Sequence, residues 1–162
     1  MVKEEPWRVV VREIVEKNRW RKAPVLPVLR GIQNTFGYLP EDALRYAAEE
    51  LGISIAQIYS TATFYHLFSL KPQGKYVIRI CNNFVCHMKG NKKILRAISD
   101  YLGIGIGETT KDGLFTLLTT SCMGQCDRAP AMMINDRVYL NLTPEKAVEI
   151  LKSYKEADSS GE

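Results

Sequence analysis

Apolar positions recur every three or four residues from Trp7 to Tyr65, and beyond Gly74 they give way to continuous strand-like runs. Trp7, Val10, Val11, Ile14 and Val15 line one face of an amphipathic helix with charged residues between them. After the punctuation of Pro24 and Pro27, the spacing of Val28, Leu29, Ile32 and Phe36 predicts a second helix, closed by Gly37. Pro40 with Glu41 and Asp42 opens a third, in which Leu44, Ala47, Ala48 and Leu51 share a face before Gly52. A fourth begins with a capping box, Ser54 placed to accept from the Gln57 amide and Gln57 to reach back, and its stripe is Ile55, Ile58, Tyr59 and Ala62. Four short helices with brief connectors predict a helical bundle over residues 1–74, ended by Lys71-Pro72-Gln73-Gly74.

Residues 75–162 read as a second domain. Lys75-Tyr76-Val77-Ile78-Arg79-Ile80 is rich in β-branched and aromatic residues and predicts a strand that delivers Cys81. A helix follows from about Asn91, with Ile94, Ala97, Ile98, Tyr101 and Leu102 inward and Gly103 as its stop. The Asp112-Gly113 turn leads into a strand over 114–120 that delivers Cys122. A hairpin turns at Asn135-Asp136, and Thr143 with Pro144 starts a last helix that turns Ala147, Ile150, Leu151 and Tyr154 to the sheet. The order strand, helix, three strands, helix predicts a compact α/β sheet with helices packed on it, so the whole chain reads as α+β / α/β. Asp158 to Glu162 reads as a frayed tail.

Composition narrows the function. At 162 residues, with 46% apolar and 25% charged residues, the chain is an ordinary globular sequence that needs no covalent staple. The net charge of +4 is split as +2 on either side of Gly74, and without a basic arm or stripe no nucleic-acid partner is expected. Met1 to Pro6 has acids and a proline where a signal peptide needs an apolar run, and no apolar stretch reaches the roughly 18 residues of a bilayer span. The expected location is cytoplasmic, with no direct membrane insertion and any membrane association made through a partner. Gly103-Ile104-Gly105-Ile106-Gly107 lacks the dinucleotide fingerprint and reads as a connector.

Four cysteines in a reducing compartment turn attention to metal or redox chemistry. They form the pairs Cys81-x4-Cys86 and Cys122-x3-Cys126, each placed after a predicted strand. If those strands run parallel, their following loops gather at one sheet edge and the pairs converge. Soft thiolates suit an iron-sulfur cluster. Structural zinc accepts the same donors, usually at closer spacing, and inert buried thiols remain a third reading. The absence of C-x-x-C disfavours a thiol-disulfide oxidoreductase. His87 adjoins Cys86, but a Rieske-type pair would need two histidines in place of cysteines. His66 reads as a helix-end residue, and Tyr59, Phe64, Tyr65 and Phe68 as core or partner contacts. Ala129-Pro130 is a candidate cis peptide against a base rate of about 5%.

In context, Cys81-Asn-Asn-Phe-Val-Cys86-His-Met-Lys-Gly90, Thr110-Lys-Asp112-Gly113-Leu-Phe115-Thr116 and Cys122-Met-Gly124-Gln-Cys126-Asp-Arg-Ala129-Pro130 closely resemble the thioredoxin-like [2Fe-2S] ferredoxin family. These are the NuoE-like small subunits of respiratory complex I and of NAD(P)-linked hydrogenases and formate dehydrogenases. Leu26-Pro-Val-Leu-Arg-Gly-Ile-Gln33, Gly37-Tyr-Leu-Pro40 and Tyr59-Ser-Thr-Ala62-Thr-Phe-Tyr65 extend the resemblance to roughly residues 10–155. It implies a thioredoxin-like α/β domain behind a helical bundle, and one [2Fe-2S] cluster on Cys81, Cys86, Cys122 and Cys126. It implies a larger flavoprotein partner that carries FMN and NAD(H), and other iron-sulfur subunits. The chain would then be an electron-transfer subunit of an NAD(P)H-linked oxidoreductase, without a complete active site or catalytic residues of its own. Asp127 stands where the family often has glycine, and Met123 where leucine is common. The competing class is a zinc-stabilised structural adaptor with no redox role.

Overall fold

The computed structural model describes residues 5–159, which divide into two compact units between Pro72 and Gln73. The N-terminal residues read against a signal peptide lie, up to position 4, outside the described residues.

The first unit contains helices α1 (Pro6–Asn18), α2 (Val25–Phe36), α3 (Glu41–Leu51) and α4 (Ile55–Phe64). Their stripes meet in a core in which Val11, Val15, Leu29, Ile32, Leu44 and Ile58 are fully buried. Each such side chain contributes about 1.5–3 kcal/mol. Pro27 sits inside the first turn of α2, where its missing N–H has no helical partner to lose. Helices α1 and α2 approach at Gly31, where an added Cβ would stand 2.6 Å from Ile14 Cγ2. At α4 one half of the capping box is present, with Ser54 Oγ accepting from the Gln57 amide at 3.2 Å. Ile55, expected inward, is 36% exposed, because at the first helical position it lies at the rim of the stripe that Ile58 and Ala62 bury. The Gln33 side chain donates to the Leu67 carbonyl and accepts from the Ser69 amide, both at 2.8 Å, tying the segment after α4 to α2.

The second unit is built on a sheet of order β2-β1-β3-β4. Its strands are β1 (Tyr76–Cys81), β2 (Phe115–Thr120), β3 (Met132–Ile134) and β4 (Arg137–Tyr139). β1 and β2 run parallel in the register Tyr76 with Phe115 through Cys81 with Thr120. β3 and β4 are the expected hairpin, with β3 antiparallel to β1 and β4 antiparallel to β3. The crossover from β1 to β2 carries a short helix α5 (Phe84–Met88) and α6 (Asn91–Leu102), and α7 (Pro144–Ser159) closes the unit. Ile94 and Ile98 of α6 and Ala147 and Leu151 of α7 pack on Ile78, Ile80, Leu117 and Met132, so both helices cover one face of the sheet. β1 is buried on both faces, as a central strand is, and therefore reads as a nearly continuous apolar run.

The exception on β1 is Arg79, which is 7% exposed and has no bonding partner for its Nε. Burial pulls its pKa down, against the opposing charge of Asp136. The frayed tail is corrected at its start: Asp158 and Ser159 are the last residues of α7. Asp158 pairs with Lys75 and accepts from the Tyr76 hydroxyl at 3.4 Å, which holds that turn down. Ser160, Gly161 and Glu162 lie outside the described residues.

Candidate metal centre

Parallel pairing of β1 and β2 puts their C-terminal ends at one sheet edge, and both cysteine pairs are there. Cys81 is the last residue of β1, and its amide bonds the Ala131 carbonyl at 3.1 Å. Its own carbonyl accepts from the Asn91 side chain at 2.8 Å, a buried bond that fixes the strand end to the start of α6. Cys86 faces inward from α5, and both thiols of this pair are 2% exposed. Ala129 and Ala131 complete their surroundings, and the Ala129–Pro130 peptide is cis.

Cys122 and Cys126 occupy the loop after β2, Cys126 opening a 3-10 turn over Cys126–Arg128. Cys122 is exposed and Cys126 half-buried. Their sulfurs are 3.4 Å apart, and the Gly124 amide donates to the Cys122 sulfur at 3.4 Å. Gly124 adopts φ +77°, a left-handed conformation that lets the loop fold its amide back onto the sulfur. Asp127 in the same loop pairs with Arg128 at 3.4 Å.

Electrostatics separate the four thiols. The Gly124 amide, and then the Cys126 thiol, pull the Cys122 pKa below its ordinary value. Sharing a hydrogen bond with Cys122 pushes Cys126 up. Burial pushes Cys86 up, although the Ala131 amide offsets part of the cost. Cys81 is near enough to act on each of the other three, so the pairs form one connected group.

The donor set fits the [2Fe-2S] cluster that the resemblance implies. Four sulfurs converge, with no histidine or carboxylate interposed among the interactions that shift Cys86 and Cys122. Among the described residues no three His, Cys, Asp or Glu side chains are gathered as tightly as one metal ion requires. Thiols arranged as two neighbouring pairs suit two irons taking two thiolates apiece better than one closed zinc tetrahedron. His87 is exposed on α5 and contributes to none of these interactions, and His66 lies past the end of α4.

Sequence reasoning missed α5, the 3-10 turn, Arg79 and the anchoring role of Asn91. For Asn91 a signal existed: a polar residue one place past Gly90 at a helix start, facing a strand end. The aromatic group on α4 and just after it divides. Tyr59 and Phe68 pack on the helical core, whereas Phe64 is 78% exposed and Tyr65 41%. None of the helices among the described residues is long and apolar enough to cross a membrane.

Comparison with known proteins finds relatives over most of the chain. A family model described as thioredoxin-like [2Fe-2S] ferredoxin matches residues 11–155. The chain is 36% identical over 148 residues to the HndA component of the NADP-reducing hydrogenase of Solidesulfovibrio fructosivorans, covering 91% of this chain and 86% of that protein. It is 40% identical over 134 residues to a component of the NADH-quinone oxidoreductase of Escherichia coli strain K12, covering 83% and 81%. Among solved structures, a chain of NAD+-reducing [NiFe]-hydrogenase in the air-oxidized state superposes with a TM-score of 0.69 at 25% identity, over 80% of this chain. The match spans 23% of that hydrogenase chain. With its whole cysteine edge inside the matched region, this chain belongs to the thioredoxin-like [2Fe-2S] ferredoxin family.

Proposed function

We propose that this chain is an electron-transfer subunit of an NAD(P)H-linked oxidoreductase, of the NADH-quinone oxidoreductase or NAD(P)-reducing hydrogenase kind. Cys81, Cys86, Cys122 and Cys126 are its cluster ligands. The observation that carries the reading is the convergence of two thiol pairs at the C-terminal edge of parallel β1 and β2. When bound, the cluster supplies a one-electron store between a two-electron flavin and other one-electron carriers. The chain's residues do the rest: Asn91 and the β1 ladder hold Cys81 in place, and burial of Cys81 and Cys86 keeps water off one side. The Gly124 amide stabilises negative charge on Cys122 at the open side.

FMN and NAD(H) belong to a larger flavoprotein partner. The helical unit, residues 1–74, is the docking part, and its exposed Phe64, Tyr65, Leu67 and Leu70 supply the apolar contact. Protein made anaerobically with ample iron is expected to be red-brown and to carry two irons and two sulfides per chain, as the family's cluster formula requires. Stoichiometric zinc in protein purified without oxidation or reconstitution would instead establish the structural adaptor. Replacing Phe64, Tyr65 and Leu67 by serine is expected to leave iron content unchanged while the flavoprotein no longer co-purifies. Undiminished co-purification would remove the docking role.

A further inference from the structure

The segment from Tyr76 to Ser99 contains no aspartate or glutamate, yet it holds Arg79, Lys89, Lys92, Lys93 and Arg96. Lys89, Lys92 and Lys93 are exposed where α5 passes into α6. Arg96 meets Asp100 at 3.9 Å, and no ion pair among the described residues involves the three lysines. Folding physics does not ask for this arrangement. Lys92 and Lys93 stand in the first turn of α6, where the helix dipole favours acids, and like charges gathered one turn apart repel.

Beside this basic group lie two large apolar side chains that the unit leaves in water. Phe84 is 72% exposed and Met88 71%, and four residues apart on α5 they share one face. Cys86 lies between them in the chain and turns the opposite way, into the protein. An exposed apolar pair two residues either side of a cluster-ligand candidate, followed in the chain by exposed lysines, has the composition of a docking face with a hydrophobic centre and a charged rim.

We propose that the surface of Phe84, Met88, Lys89, Lys92 and Lys93 is an electron-exchange face for a protein whose own face is apolar at its centre and acidic at its rim. Charge complementarity selects that partner: the lysines steer acidic surfaces toward the Cys86 side and repel basic ones. The face lies within residues 84–93 and shares no residue with the aromatic surface assigned to the flavoprotein. The inference rests on the proposed function for electron exchange, but not for docking.

The test uses the full, cluster-loaded chain, reduced and mixed by stopped flow with two oxidising probe proteins. One is the acidic haem domain of cytochrome b5, and the other is basic cytochrome c. With the acidic probe the bimolecular rate is expected to fall as salt rises, and to fall roughly tenfold at low salt in Lys92→Glu/Lys93→Glu. With the basic probe both trends should be reversed. Lys152→Glu/Lys155→Glu on α7 makes the same change in net charge and is expected to have a much smaller effect. Phe84→Ser/Met88→Ser should slow the acidic probe at low and high salt alike, since apolar contact is not screened. Equal effects of the two lysine pairs would overturn the proposal in favour of net charge alone, and no effect from Lys92→Glu/Lys93→Glu would overturn it by removing the lysines from the encounter. Docking is read independently of the cluster by carbodiimide cross-linking to the acidic probe. Cross-links concentrated at Lys89, Lys92 and Lys93 are expected, and cross-links mapping elsewhere overturn the face. Cross-links at these lysines on a chain that accepts no electron would instead count against the proposed function.

Discussion

The two cysteine pairs share one sheet edge but are held by different means. Cys81 and Cys86 are part of the fold: one ends a central strand, the other faces inward from α5, and both are buried. Cys122 and Cys126 sit on a loop whose shape depends on one left-handed glycine, and Cys122 is exposed. The buried pair is therefore positioned by the same contacts that stabilise the domain. The loop pair is positioned locally, at little cost to the fold. On the proposed ligand set, the site has a fixed half built into the domain and an open half carried on the loop.

The strongest way to break this comparison is to replace one proposed ligand from each half. Cys81→Ser puts a hard oxygen in a buried, fixed place, and iron content is expected to fall to background. Cys122→Ser keeps a donor in a loop that can adjust, and is expected to retain iron with an altered electron spin resonance signal. Wild-type iron content and spectra in both variants would mean that these thiols are structural. Next in size, Asn91→Ala removes the bond to the Cys81 carbonyl and is expected to cost about 1–3 kcal/mol of stability in denaturant unfolding, even without metal. Gly124→Ala has open space for its methyl group but keeps a backbone that strains any L-residue. It is expected to cost about 1–2 kcal/mol and to shorten the time to iron loss in a chelator challenge. An unfolding midpoint unmoved by Asn91→Ala, with full iron retention in Gly124→Ala, would erase the distinction between the halves.

Much of this architecture is legible in the residues. Helical periodicity located α1 to α4 because each stripe repeats over at least two turns, and glycine stops closed α2, α3 and α6. The β-branched run before Cys81 and the strand before Cys122 placed both pairs at strand ends, and parallel pairing brings those ends together. Helix α5 is five residues long, too short for any period to register, so the inward turn of Cys86 was not readable. Arg79 defeats pattern reasoning for another reason. Alternation along β1 turns Ile78 and Ile80 to the helices, and the second face is buried by tertiary contacts that no local spacing encodes. Cysteine identity and spacing are written in the chain, whereas the difference in exposure between the pairs belongs to the fold.

The smallest expected effect is on thiol labelling of the metal-free protein. Thiolate is the reactive form, so the lowered pKa of Cys122 starts its alkylation at lower pH than an ordinary thiol, and the raised pKa of Cys86 delays its own. Exposure acts in the same direction. Mass spectrometry of timed iodoacetamide labelling near neutral pH is expected to show Cys122 modified first and Cys81 and Cys86 last. Labelling of all four at one rate would mean that the buried half is not built without metal.

The central claim is that the two unequal pairs hold one binuclear centre together. Iron-edge X-ray absorption on the anaerobically isolated chain tests it most directly. The account expects a first shell made of sulfur alone and a short iron-iron vector, with the iron signal lost from the buried-ligand variant Cys81→Ser. A spectrum showing a lone iron without an iron-iron vector, nitrogen or oxygen in the first shell, or zinc in place of iron would contradict it.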